Sequence, residues 1–150
     1  MSIAERLAEL GLTLPPVAAP LAAYVPAVRD GDLVYVSGQL PLVDGELLDT
    51  GKVGAEVSAE RGAELARVCA LNALAAVHDL VGIDAVTKIV KLTGFVASAP
   101  DFTGQPAVIN GASELLGAVF GDAGRHARSA VGVTVLPKDA PVEVELIARL

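Results

Sequence analysis

Arg128 and the acidic pair Glu143 and Glu145 are the side chains of this 150-residue chain whose types and spacing could do chemistry together. In ARSAVGVTV, Ser129, Val131, Val133 and Val135 share one face of an extended strand, while Arg128, Ala130, Gly132 and Thr134 share the other. In PVEVELIA, Val142, Val144 and Leu146 face one way, and Glu143 and Glu145 the other. We expect the valine faces to meet the helices. If the two strands pair, the arginine and both carboxylates then lie on the sheet face that the helices leave uncovered. A guanidinium there suits a small carboxylate, because its planar fork makes two charge-assisted hydrogen bonds. A nearby glutamate could orient a water or pass a proton. Alternation by itself favours the plainer reading of solvated charges on a half-exposed sheet. Gly132 argues for more, because glycine weakens a strand interior unless something approaches closely there.

The remaining reactive side chains form no second constellation. Two histidines, His78 and His126, and one cysteine, Cys69, have no metal-ligand spacing. His78 falls on the polar face of a helix and Cys69 on its apolar face, so surface residue and core filler are the simplest readings. His126 stands two residues before Arg128 and could border a pocket. Neither GxGxxG nor GxxxxGK[ST] occurs, so no metal or organic cofactor is expected. A formal charge of −7 opposes a phosphate backbone, which makes nucleic acid an unpromising partner. No uncharged apolar run is long enough to cross a membrane, and the opening MSIAERLAELGL, with Glu5, Arg6 and Glu9, reads as an amphipathic helix rather than a signal peptide. The expected address is the cytoplasm, and a single cysteine, which rules out an internal disulfide, fits it.

These side chains need a scaffold, and the pattern predicts one α+β domain over residues 1–150. A helical and Pro-rich leader spans 1–20. Two short strands, AYVPAV and LVYVSGQLP, follow, joined by a turn at Asp30 and Gly31. Residues 42–56 read as an exposed connection. Ser58 caps a helix to about Val81, with Glu60, Glu64, Arg67 and His78 on a polar face and Ala66, Cys69, Ala73, Ala76 and Leu80 opposite. Lys88–Val96 reads as a strand. Pro106 opens a second helix whose apolar face carries Val108, Ala112, Leu115, Leu116 and Val119, with Asn110 on the other side. Ala127–Leu136 and Val142–Ala148 close the chain as strands. With 53% hydrophobic but 3% aromatic residues, the core must be filled by Ala, Val and Leu. A small subunit with that surplus would bury it best against copies of itself, so a homo-oligomer is expected.

Over roughly residues 20–150 the chain resembles the RidA/YjgF family of reactive enamine/imine deaminases, older members of which carry an endoribonuclease label. The likeness rests on YVSGQLP (Tyr35–Pro41), IVKLTGFV (Ile89–Val96) and the closing ARSAVGVTVLPKDAPVEVELIA. It implies a chorismate-mutase-like subunit, a mixed sheet with two helices on one face. It further implies a homotrimeric barrel with sites between subunits. By the same resemblance Arg128 grips a substrate carboxylate and Glu143 positions the attacking water. Tyr24, Ser37, Gly38 and Asn110 line the cleft. Ala130 departs from the pattern, standing where many members have cysteine. The implied activity is hydrolysis of 2-aminoacrylate-like enamines or imines to 2-oxo acids and ammonia. Alternatives are a regulatory protein that binds a small carboxylate without turnover and, against the charge, an endoribonuclease.

Overall fold

The computed structural model describes residues 1–19 and 22–150. Ser2 caps the first helix, α1 (Ile3–Glu9), through a reciprocal capping box with Glu5, and Leu7 buries its apolar side. Residues 13–19 continue without regular structure, as three prolines in the Thr13–Pro20 run dictate; residue 20, the end of the expected leader, lies outside the described residues. Two antiparallel strands follow, β1 (Ala27–Asp30) and β2 (Leu33–Gln39). Asp30 pairs with Leu33, so the turn is made by Gly31 and Asp32, one residue later than expected.

Residues 42–56 are less exposed than their composition implies. They hold a small hairpin, β3 (Leu42–Val43) and β4 (Glu46–Leu47), and Val53 is fully buried. Arg61 anchors this segment by bonding Asp49 with both Nε (3.0 Å) and Nη2 (2.7 Å), and Lys52 pairs with Asp139. The long helix α2 (Ala59–Val81) starts where Ser58 Oγ accepts from the Arg61 amide. Its expected dry face is buried at Ala66, Cys69, Ala73 and Ala76 but not at Leu80, in the last turn, which is 43% exposed. Strand β5 (Lys88–Ala97), helix α3 (Gln105–Phe120), and strands β6 (Ala127–Val133) and β7 (Val142–Arg149) complete the chain. β6 ends three residues before the expected Leu136.

The five long strands lie in the order β1-β2-β7-β5-β6, antiparallel except for the β5–β6 pair. The return from β5 to β6 passes through α3, as a parallel connection requires. Both α2 and α3 cover one face of the sheet, and the core between them is built from Leu, Val, Ile and Ala. The helices approach closely because residue 111 is glycine: a methyl group there would lie 1.9 Å from the Ala63 carbonyl oxygen. α3's apolar residues Val108, Ala112, Leu115, Leu116 and Val119 are all buried, as the periodicity predicts.

The other sheet face is uncovered within one chain. It presents Val28, Tyr35 and Val131, each more than two-fifths exposed. Here the expectation for β6 is reversed. Val131 and Val133 point away from the helices, and Arg128 points toward them. The register shows this directly: Arg128 pairs with Leu92, which pairs with Leu146, and both leucines are buried beneath the helices. Alternation identifies two unlike faces but not which of them the chain itself covers. On an edge strand the apolar face is free to await a partner.

Candidate functional site

Arg128 is held by the polar side of α3. Its Nη1 donates to Asn110 Oδ1 (2.8 Å) and to Ser113 Oγ (3.1 Å), and Nη2 donates to the Pro106 carbonyl oxygen (3.3 Å). Three of its five N–H groups are thereby committed to one helix, and the other two have no hydrogen-bond partner among the described residues. Asn110 faces away from the apolar stripe, as expected, and from that exposed position its side chain accepts from Arg128. Ser113 was missed in the sequence. Its spacing of three residues from Asn110 is the signal, since residues at i and i+3 share a helix face.

Gly132 stands on the same face of β6. A methyl group there would lie 2.8 Å from Gln105 Nε2 and 3.2 Å from Ser98 Oγ, so the close approach expected of that glycine is real and comes from the start of α3. His126 is half-buried beside Arg128. Burial holds its imidazole below the usual range, and the neighbouring guanidinium adds to this. Its Nδ1 lies 3.1 Å from the Ala127 carbonyl oxygen.

Glu143 belongs to a different place. It pairs with Phe95 across β5–β7, on the sheet face opposite Arg128. β5 lies between β6 and β7, so the two closing strands never pair and the arginine and carboxylates do not share a face. The register of β2 with β7 shifts between Val36 and Gln39, a bulge that contains Ser37 and Gly38. The carboxylate of Glu143 lies against this bulge: a methyl group at Gly38 would sit 2.1 Å from Oε1. Glycine at 38 is therefore what admits the carboxylate. Among the described residues Glu143 enters no salt bridge. Burial raises its pKa above the ordinary carboxylate range, and the like charge of Glu145 adds to that shift.

Ser37 donates its hydroxyl to the Val25 carbonyl oxygen at 2.7 Å, and its amide bonds the Pro26 carbonyl oxygen at 2.9 Å. It thus ties the Tyr24–Pro26 segment to the bulge. Tyr24, 45% exposed, lines a narrow cleft with Gly38, Gln39 and Leu42. Beside it, on the uncovered sheet face, an open groove of about 410 Å³ is bordered by Tyr35, Ser37, Lys91, Thr93 and Glu145. Tyr24, Ser37, Gly38 and Glu143 are therefore neighbours, and Arg128 with Asn110 forms a second group elsewhere. One chain does not bring the two groups together. Among the described residues no cluster of His, Cys, Asp and Glu is arranged to hold a metal ion, and no helix is long and apolar enough to cross a membrane.

Comparison with known proteins gives a consistent answer. Residues 4–150 match the family described as "YjgF/chorismate mutase-like, putative endoribonuclease". The match begins inside α1, so it takes in the leader that the motif resemblance left out. The chain is 45% identical to Protein TCP17 of Trypanosoma cruzi over 150 residues, 99% of this chain and 94% of that protein. It is 38% identical to a 2-iminobutanoate/2-iminopropanoate deaminase of Salmonella typhimurium over 130 residues, 87% of this chain and 89% of the enzyme. Among solved structures, the protein Atu1372 of unknown function from Agrobacterium tumefaciens superposes with a TM-score of 0.90 at 46% identity, covering 99% of this chain and 92% of that one.

Proposed function

The chain belongs to the YjgF/chorismate mutase-like family, and on that premise we propose that it hydrolyses imines derived from amino acids, releasing a 2-oxo acid and ammonia. The observation that carries the proposal is the Arg128 guanidinium, fixed by Asn110, Ser113 and Pro106 with two N–H groups still to give. A fixed fork of that kind suits a 2-imino carboxylate. The relatives named as 2-iminobutanoate/2-iminopropanoate deaminases supply the substrate class.

The reaction needs little machinery. An enamine such as 2-aminoacrylate tautomerises to its imine, and the protonated imine carbon is electrophilic without further activation. Glu143 accepts a proton from water as its oxygen bonds that carbon, then returns the proton to the amino nitrogen of the resulting carbinolamine. The C–N bond breaks with its electron pair leaving on ammonia as the C=O bond forms, and the hydroxyl proton passes to the ammonia: one protonated imine and one water enter, and one 2-oxo acid and one ammonium leave. Arg128 holds the carboxylate throughout, which fixes the reacting carbon relative to the water.

Because Arg128 and Glu143 lie on opposite faces of one sheet, each site takes its arginine group from one copy and its glutamate group from a neighbour. The uncovered apolar face carrying Val28, Tyr35 and Val131 is the surface available to join copies. The assembly proposed is the homotrimer, and the ligand is a small carboxylate in a cytoplasmic setting, with no metal or organic cofactor and no nucleic acid.

A second reading has an observation of its own. The arginine half is complete within one chain and the glutamate half stands apart, so a protein that captures 2-oxo acids without turnover needs only the former. The test is release of ammonia and 2-oxo acid from imines generated in situ from several amino acids, for the wild type and for Arg128→Ala. Acceleration that disappears in the variant supports the hydrolase. Binding of 2-oxo acids with no acceleration of any imine supports the sensor.

A further inference from the structure

The helix that holds Arg128 also shapes a second recess. α3 and β6 lie side by side in opposite directions: Asn110 and Ser113 stand over Arg128 at one end, and Gln105 stands over Gly132 at the other. At the Gln105 end an open groove of about 380 Å³ is lined by Ser98, Ala99, Pro100 and Phe102 together with Gln105 and Gly132. Pro106 joins the two ends. Its carbonyl oxygen accepts from Arg128 Nη2 (3.3 Å), and Gln105 is the residue before it, about 3.8 Å away along the backbone. Phe102 is wedged between Gly54 and Gly104, where a methyl group at either glycine would lie 2.9 Å from the phenylalanine side chain. The Ser98 amide donates to the Val133 carbonyl oxygen (3.0 Å), which ties the groove wall to the sheet. Gln105 Nε2 donates to Ser98 Oγ (3.1 Å) and to the Phe102 carbonyl oxygen (2.8 Å), and the Ser98 hydroxyl donates to the Val96 carbonyl oxygen (2.7 Å). A carbonyl oxygen only accepts, so the NH2 group of Gln105 must face the wall. Gln105 Oε1 is left without a donor among the described residues, beside the apolar surface of Ala99, Pro100 and Phe102.

We propose that this groove is the subsite for the substrate side chain and that Gln105 is its specificity-determining residue, accepting a hydrogen bond from an apolar substituent that ends in a hydroxyl. The inference rests on the imine-hydrolase reading and names a substrate class for it. With the carboxylate of a 2-imino acid on Arg128, the α-carbon substituent extends along the first turn of α3, its apolar part lies against Ala99 and Phe102, and its hydroxyl donates to Gln105 Oε1. Among the described residues no charged side chain lines the groove, so the substituent selected is uncharged. Gly132 is part of the same device, because a methyl group there would lie 2.8 Å from Gln105 Nε2 and displace the amide from its two partners.

The experiment compares wild type, Gln105→Met and Gly132→Ala on imines generated in situ from tyrosine and phenylalanine, which differ by one hydroxyl. In parallel, calorimetric titration measures the affinity of each protein for 4-hydroxyphenylpyruvate and phenylpyruvate. Wild type is expected to favour the hydroxylated member of each pair. Gln105→Met, which keeps the length of the side chain and removes the acceptor, should lower the tyrosine-to-phenylalanine ratio of kcat/KM roughly fivefold or more, the scale of one neutral hydrogen bond. Gly132→Ala reaches the same amide from the strand and should move the ratio in the same direction. Because each ratio is taken within one protein, a variant that loses part of its folded population still reports it. A wild-type ratio near one, or a ratio that Gln105→Met leaves at the wild-type value in kinetics and in affinity, overturns the role of Gln105 and leaves the hydrolase reading intact. If no protein hydrolyses either imine, the reaction fails, and the subsite then stands or falls on the 2-oxo acid affinity ratio alone. If neither 2-oxo acid binds, both fall.

Discussion

The two polar groups of this fold are built in opposite ways. Around Arg128 the geometry is fixed: an amide oxygen, a hydroxyl and a carbonyl oxygen of one helix hold three of its N–H groups, although among the described residues no carboxylate pairs with it. Around Glu143 the proton affinity is altered instead: the carboxylate is pressed against the Gly38 backbone, has no ion-pair partner among the described residues, and its pKa is pushed up by burial and by Glu145. A group held in one geometry suits recognition, where the ligand's charge stays constant. A group whose proton affinity has been raised toward the working pH suits proton transfer. On the proposed function, the contrast gives binding to the β6–α3 edge and proton transfer to the β2–β7 bulge.

The largest effect that can break this contrast is on turnover. Glu143→Gln keeps the shape of the carboxylate and removes the base, so kcat for imine hydrolysis should fall on the order of 10² to 10⁴-fold while the affinity for 2-oxo acids is retained. Equal losses of kcat and affinity would erase the division of labour. Arg128→Lys should act in the reverse sense. It loses the fork and the bonds to Asn110 and Ser113, and ligand affinity should weaken roughly a hundredfold, the scale of about 3 kcal/mol for a charge-assisted pair.

Mixing the two inactive variants tests whether the halves meet between copies. If each site draws Arg128 and Glu143 from different copies, random mixed oligomers of Arg128→Ala and Glu143→Gln regain about a quarter of the wild-type sites. Steady-state rates of a refolded equimolar mixture measure this, and no recovery would place both groups in one chain's site. Gly38→Ala should be felt next, because its methyl group cannot coexist with the Glu143 carboxylate where it lies. Stability should drop by roughly 1–3 kcal/mol in a denaturant titration, and turnover should fall with it.

The smallest effect is on the pH dependence of stability. Glu143 has its folded pKa raised above the unfolded value, so the protonated form favours the fold. The contribution is full below the unfolded carboxylate pKa and is lost as pH rises through the raised folded value. Glu143→Gln should flatten that part of the stability curve, measured as midpoint against pH. The same shift makes turnover rise with pH through a range above that of an ordinary carboxylate.

Much of the scaffold was legible in the sequence because it follows from local chemistry. Ser58 capping α2, Pro106 in the first turn of α3, the 3.6-residue stripe from Val108 to Val119, and the alternation in β7 each depend on residues a few positions apart. The family motifs supplied the candidate site residues, and Gly132 correctly announced a close neighbour. What the pattern misjudged was the facing of β6, the burial of Val53, the exposure of Leu80 and the part played by Ser113. Each depends on what another element, distant in the chain, brings to that position.

The division has a physical reason. Period and capping are short-range properties written into neighbouring residues, so the sequence by itself determined the element types, their order, the apolar stripes and the identity of Arg128 and Glu143 as the chemically capable groups. Which side of a strand is covered depends on strand order and on where a helix returns. Only the tertiary structure could decide that β5 would separate β6 from β7, that α3 would bring Asn110 and Ser113 to the arginine, and that the bulge at Ser37–Gly38 would receive the carboxylate on the opposite face.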